Sequence, residues 1–354
     1  MKLKDFDYPL PPQLIAQHPP EKRGDSRLMV VNRENGTLEH CSFSQLPGFL
    51  QPGDVLVVND TKVLPARLIG KKESGGKVEI LLVRKGANPS GGAHFQEWEC
   101  LVQGSGKLRE KTPVLLDPAV RGELVARTPE GLWRLSLQAR GEEDLEGSLR
   151  RIGLAPLPPY IHRNGDGEMR TRDLDRYQTV YARREGAIAA PTAGLHFTGG
   201  LLGEIQRKGV SILSLTLHVG MGTFLPVKQE EVEKHRLEQE FFEITRETAE
   251  AIRHARGQGR KIVGVGTTVA RALESVADQA GRMHARQGQT DLFILPGYRF
   301  RAVDGLITNF HLPRSTLLML VSAFAGRELI LTAYEEAIKR NYRFYSYGDA
   351  MLIF

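Results

Sequence analysis

Between residues 66 and 155 the chain loses its helical period, and that interruption constrains the fold more than any single motif. The runs ARLIGKK, KVEILLVR, EWECLVQG, TPVLLD, GELVAR and WRLSLQ are short, partly alternating and broken by Gly or Pro. Segments this brief bury a face only by closing on one another, as a small β-barrel or sandwich. The flanks differ. Residues 1 to about 65 hold the strand-like runs RLMVVN and GDVLVVND, and after about 155 helix and strand alternate. Thr198 is placed to cap a helix that runs to Lys208 and stops at Gly209, with VSILSLTLHV as the next strand. Thr245 opens a second helix, KIVGVG is a strand, and TTVARALESVA is a helix. DLFIL and LITNF are expected strands, STLLMLVSAFAG a buried helix, and 328–341 the last helix. The expected fold class is α/β: a layered core of residues 1–65 and 156–354 that carries the active site, interrupted by an all-β barrel of residues 66–155.

Composition narrows the function classes. With 354 residues the chain is long enough for two domains. A net charge of +6 makes a polyanion a plausible partner. Two cysteines, Cys41 and Cys100, exclude a disulfide framework and a four-cysteine zinc site. The start, MKLKDFDYPLPPQ, has no apolar core of a secretory signal. The longest apolar run, LLMLVSAFAG, falls well short of the roughly 20 residues that cross a bilayer. A soluble, cytoplasmic protein without membrane contact is expected.

Chemistry-bearing residues gather where strands end. In LTLHVGMGTFLPV, alternation runs to His218, and then Gly220 and Gly222 strip out side chains beside Thr223 and Phe224. In GAIAAPTAGLHFT, small residues lead through Thr192 to His196 and Phe197, and LITNFHLPRST closes a strand with Asn309, Phe310 and His311. Ligand crevices of open α/β sheets lie at such ends, so the three histidines are expected to converge in one pocket. Three unrelated structural histidines are the alternative. KIVGVGTTVARALES turns at Gly264 and Gly266 into a helix begun by Thr267 and Thr268, with Arg271 one turn on. Free N–H groups there favour an anion, although a capped tight turn has the same sequence. IAQHPPEKRGDSRL packs Arg23, Asp25 and Arg27 into a loop, and VVNDTKVLPARL sets Asn59, Asp60, Thr61 and Arg67 after a strand. Such clusters bind a ribose diol, carboxylate or phosphate, or simply make Asx turns. Eight arginines lie between Arg150 and Arg184, among them Arg170, Arg172, Arg176, Arg183 and Arg184, with tyrosines such as Tyr177 interleaved. Arginine grips phosphate and tyrosine stacks on an unpaired base, so RNA is a candidate partner there, with a solvated, salt-bridged surface as the alternative. No HExxH, CxxC or other compact ligand pair is present, which disfavours a metal, and neither a Walker loop nor a GxSxG elbow occurs.

Seven ordered blocks carry a resemblance. LIAQHPPEKRGDSRLMVV, GDVLVVNDTKVLPARL, QTVYA followed by GAIAAPTAGLHFT, LTLHVGMGTFLPV, GTTVARALES, LITNFHLPRSTLLMLVSAFAG and YRFYSYGDAMLI run from near residue 5 to the C-terminus. Together they closely resemble the S-adenosylmethionine:tRNA ribosyltransferase-isomerase family of queuosine synthesis; residues 84–150 are the least similar part. The resemblance implies an α/β core interrupted by a β-barrel. It also implies transfer and isomerisation of the ribosyl group of S-adenosylmethionine onto 7-aminomethyl-7-deazaguanine at the tRNA wobble position. S-adenosylmethionine is then a consumed co-substrate, with no cofactor or metal, and a monomer is expected.

That chemistry needs a base near C5′, whose protons the sulfonium acidifies, and an acid at the departing adenine. His218 and His196 are the expected pair, with His311 a third candidate. Gly220 and Gly222 make room, Phe197 and Phe224 offer aromatic faces, Thr267, Thr268 and Arg271 hold the methionine carboxylate, and Asn59 or Asp60 grips the ribose. Two rival readings are an S-adenosylmethionine-dependent tRNA methyltransferase, since GVGTTVAR is a glycine-rich turn, and a non-catalytic RNA-binding protein.

Overall fold

The computed structural model describes residues 1–86, 92–104, 108–163, 167–220, 227 and 229–354. It divides into two compact units, one of Met1–Lys62, Pro158–Asn164 and Gln178–Phe354, the other of Val63–Leu157 and Gly165–Tyr177. The first unit begins with strands β1 (Arg27–Val31), β2 (Leu38–Ser42), β3 (Val55–Asn59) and the short β4 (Thr61–Val63), whose last residue falls in the second unit.

The second unit holds β5 (Arg67–Lys72), β6 (Lys77–Lys85), β7 (Phe95–Gly104), β8 (Thr112–Asp117), β9 (Val120–Arg127) and β10 (Trp133–Ala139). They close into a barrel in the order β10-β7-β6-β5-β8-β9, one of the two closures that the alternating runs allow. Val78, Ile80 and Leu82 of β6 and Trp133, Leu135 and Leu137 of β10 fill its inside. Two helices follow that the alternation did not signal, α1 (Leu145–Ile152) and α2 (Gly167–Arg176). Asp144 caps α1 by accepting from the Gly147 N–H at 2.7 Å. Arg170 of α2 donates to the carbonyls of Arg151 and Gly153, where α1 ends. Those bonds place α2 with the barrel unit, although residues 156–354 were expected in the core.

The chain then returns to the first unit with β11 (Arg184–Ala187), which pairs with β4, then α3 (Gly199–Arg207), β12 (Ser211–Leu217), β13 (Glu240–Ile244), α4 (Arg246–Gly257) and β14 (Ile262–Val265). Next come α5 (Thr267–Val276), β15 (Arg286–Thr290), β16 (Gly305–Asn309), α6 (Thr316–Ala325), α7 (Arg327–Lys339) and β17 (Ala350–Ile353). Nine strands form one sheet in the order β15-β13-β12-β3-β14-β16-β17-β1-β2. The strand expected at DLFIL is displaced: β15 lies just before it, and the Leu292 carbonyl accepts from Arg271 instead of joining a ladder.

All five residues of β3 are buried, because both faces of the sheet are covered. Val55 and Val57 face a core shared with Ile252, Leu273 and Phe324, while Leu56 and Val58 face Phe43, Leu201 and Ile205. Helix α6 is buried nearly all round and capped by Ser315, whose Oγ accepts from Leu318 N–H at 3.2 Å. Among the described residues no single helix is long and apolar enough to cross a membrane.

Candidate active site

Four adjacent strands, β12, β3, β14 and β16, run parallel. From β3 the chain goes out to β12 on one side and later returns to β14 on the other, so a crevice opens at their carboxyl ends. Asn59 ends β3, His218 follows β12, Gly266 follows β14 and Asn309 ends β16. Strand β17 runs antiparallel to β16 and parallel to β1, which brings Ser26 and Asp349, just before β1 and β17, to the same edge.

His218 is half-buried. Its backbone N–H donates to the Phe241 carbonyl at 2.9 Å, and its ring stacks on Phe241 with centroids 5.2 Å apart. Nδ1 lies 2.8 Å from the Thr61 hydroxyl. Nε2 lies over the backbone of Gly186, where a Cβ would come within 2.6 Å of it, at a φ of +148°. Burial lowers the pKa of this ring, the Asp60 carboxylate pulls it back up, and Arg184 lowers it again. The net direction is down, so the imidazole is neutral at neutral pH and able to accept a proton.

Beyond it, the Gly220 N–H donates to Glu240 Oε1 at 2.9 Å, and Glu240 forms a buried ion pair with Arg271. Arg271 also donates from Nε to the Leu292 carbonyl at 2.9 Å, and its buried Nη2 has no partner among the described residues. Arg271 itself lies one turn into α5 (Thr267–Val276). That helix starts at Gly266, with φ +95° and no side chain to fill the first N–H groups. Thr267 and Thr268 are both buried there.

The other two histidines are built differently. His196 is buried, with Nδ1 2.8 Å from Ser26 Oγ and Nε2 3.0 Å from Asn309 Nδ2. The Asn309 Oδ1 accepts from Thr192 Oγ1 at 3.0 Å, which fixes its amide nitrogen as donor to the ring. Nε2 therefore accepts and the ring proton sits on Nδ1. Burial pushes the His196 pKa down to about 4. In His311, Nε2 meets the Thr308 hydroxyl at 2.8 Å, the backbone N–H donates to Tyr334 at 2.9 Å, and burial pushes the pKa to about 3. Convergence is thus onto one edge, not into one cluster: β12 and β16 are three strand spacings apart, about 14 Å. His196 is buried with both ring nitrogens already bonded, which argues against an acid–base role there, whereas His311 is buried with only Nε2 engaged, by Thr308.

Several other expectations change for the same reason. The Asn59 amide donates to the Leu217 carbonyl and accepts from Leu217 N–H at 3.0 Å, so it ties β3 to β12 instead of gripping a ribose. Asp60 accepts from Thr216 at 2.6 Å and from Arg183 at 3.0 Å. Phe197 is fully buried against Phe43 and has no free face. Arg23 donates to the carbonyls of Gln178 and Leu195, and Arg27 to Asp349 and two carbonyls near the end of α7. Asp25 is exposed. Arg67 belongs to the barrel unit, paired with Glu79 at 2.6 Å. Gly222, Thr223 and Phe224 lie outside the described residues.

The basic segment is divided too. Arg170, Arg172, Arg176 and Tyr177 are in the barrel unit, Arg183 and Arg184 in the other. Tyr177 is buried and cannot stack on a base, Arg170 caps α1, and Arg172 is exposed. Sequence reasoning missed Glu240 and Phe241. The signal was present in EFFEI: its alternation buries Phe242 and Ile244, and Glu240 stands in that same register, where an acid requires a partner. Among the described residues no group of three His, Cys, Asp or Glu side chains is placed to hold a metal.

The chain resembles known proteins along its whole length. A family model described as queuosine biosynthesis protein matches residues 3–353. An S-adenosylmethionine:tRNA ribosyltransferase-isomerase of Carboxydothermus hydrogenoformans is 52% identical, with 100% of each chain covered. One from Trichlorobacter lovleyi is 49% identical over the same complete coverage. The crystal structure of an S-adenosylmethionine tRNA ribosyltransferase from Thermotoga maritima is 37% identical, covers 99% of this chain and superposes with a TM-score of 0.55. Full-length matches at this identity leave one assignment: the chain belongs to the queuosine biosynthesis protein family of S-adenosylmethionine:tRNA ribosyltransferase-isomerases.

Proposed function

We infer that the chain transfers and isomerises the ribosyl moiety of S-adenosylmethionine onto 7-aminomethyl-7-deazaguanine at the wobble position of tRNA, giving epoxyqueuosine-tRNA, adenine and methionine. The observation that carries this is the match to relatives of that name across the entire chain. S-adenosylmethionine is consumed, and no metal or further cofactor takes part. A monomer working in the cytoplasm, where tRNA is modified, completes the reading.

Within the site, His218 is the base. The sulfonium acidifies C5′–H, and the neutral imidazole takes that proton on Nε2, the nitrogen that Thr61 does not engage. The imidazolium so formed then supplies the proton that adenine needs as its bond to C1′ breaks. Phe241 keeps the ring in plane, and Glu240 fixes the backbone two residues on. The methionine carboxylate sits at the start of α5, where free N–H groups, the Thr267 and Thr268 hydroxyls and the spare Arg271 nitrogen offer donors. Toward tRNA, the exposed Arg172 of the barrel unit and the exposed Arg183 of the other unit each contribute positive charge.

Incubation with S-adenosylmethionine and the precursor tRNA tests the reading in one chromatogram. Free adenine is expected. S-adenosylhomocysteine instead would make the protein a methyltransferase, and no small product would leave an RNA-binding role.

A further inference from the structure

The edge of the sheet opposite the histidines carries a second polar site. Strands β1 and β17 end where β14 and β16 begin, so Arg33, Glu34, Lys261 and Asp304 meet there, about 15 Å from the carboxyl ends. They line a cavity of about 580 Å³ together with Arg256, Arg260, Phe300 and Phe354. That volume suits a nucleotide-sized group.

Four cations face two carboxylates, and the acids are already engaged or outnumbered. Asp304 accepts from the Ile262 N–H at 2.8 Å and from Arg256 at 3.4 Å. Arg33 donates to the carbonyls of Phe324 and Asp304 and stacks on the Phe324 ring at 3.9 Å, which holds its guanidinium rigid. After these bonds, the Nε atoms of Arg33 and Arg256 are buried with no partner among the described residues. Arg260 and Lys261 form no ion pair with any described carboxylate. Arg260 lies along Gly53, where a Cβ would sit 2.8 Å from its Nε, and Lys261 sits 4.9 Å from the Phe354 ring.

Two exposed cations without a carboxylate partner, Arg260 and Lys261, beside a guanidinium held rigid at Arg33, offer what a phosphate requires. We propose that this cavity is a phosphate site, occupied by the ribose–phosphate backbone of tRNA away from the reacting nucleotide. Only the identity of the RNA rests on the function inferred above; the anion chemistry does not.

Binding of full-length tRNA by Arg260→Glu/Lys261→Glu, read between 50 and 200 mM salt, tests the site. Lys2→Glu/Lys4→Glu serves as a control with the same charge change outside the cavity. Affinity about tenfold weaker, with the log–log salt slope smaller by about 1.5 to 2, is expected for the cavity variant and not for the control. Unchanged tRNA binding, with adenosine monophosphate or inorganic phosphate bound by the unmodified protein but not by the cavity variant, keeps the phosphate site and moves its source to a free phosphomonoester. Equal weakening in both variants, or no change in either ligand, overturns it. Thermal melting verifies that the variants are folded. Adenine release by the unmodified protein reports separately on the reaction.

Discussion

His218 and His196 look alike in sequence and differ in almost everything that matters for chemistry. Each follows an apolar run, and each has small or aromatic neighbours. Yet the His218 ring has one nitrogen against Thr61, the other over bare glycine backbone, and partial access to solvent. His196 has Ser26 on one nitrogen and Asn309 on the other inside a closed core, and His311 is buried with Nε2 on Thr308. The contrast teaches that a histidine at a strand end is a candidate base only if its second nitrogen is left uncommitted.

The largest expected effect is on His218. His218→Ala should lower adenine release by about 10² to 10⁴-fold while S-adenosylmethionine still binds, as isothermal titration would read. Because its pKa lies below the usual 6.5, the rate should hold through neutral pH and fall only as acid protonates the ring at a pH below that value. A rate that falls on the alkaline side of 6.5 would contradict the neutral-base role.

For the buried pair His196 and His311 the consequence is stability. Their folded pKa values, about 4 for His196 and about 3 for His311, lie below the unfolded value near 6.5, so the unfolded chain binds protons first on acidification. Their contribution is complete above pH 6.5 and is lost as pH falls toward 4 and 3, roughly 3 to 5 kcal/mol for each. His196→Gln should therefore be less stable at pH 7 but less acid-sensitive, with adenine release per folded molecule near that of the unmodified protein. Chemical denaturation across pH checks both halves.

Gly186→Ala comes next. The new methyl would collide with the His218 ring, and displacement by about 1 Å costs on the order of 10²-fold in rate with binding largely kept. Smallest is Arg172→Ala, where the loss of one exposed cation should weaken tRNA binding about threefold and flatten its salt dependence slightly. An equal loss from Arg170→Ala without loss of stability would show that its bonds to the end of α1 count for little.

The layered core and the barrel were legible because period alone distinguishes them. The alternating runs of residues 66–139 bury their faces only by closing on one another, as a barrel or a sandwich, and Thr198, Thr245 and Ser315 mark helix starts by their side chains. The strand at Ala350–Ile353 and the partners of Asn59 were not, since both depend on pairing across long sequence separations. Within the site, strand-end position was readable and burial was not. Ser26, which occupies His196 Nδ1, lies 170 residues away in the chain. Glu240 is the instructive miss, because a charge in the buried register of a strand predicts a buried partner, and Arg271 is that partner.

The most direct test of the account is hydrogen exchange at C5′ of S-adenosylmethionine in deuterated water, measured by mass spectrometry on recovered substrate and product. If His218 takes that proton, the unmodified protein and His196→Gln incorporate deuterium and His218→Ala, with substrate bound, incorporates none. Deuterium uptake by His218→Ala at the rate of the unmodified protein would assign the proton transfer to another group.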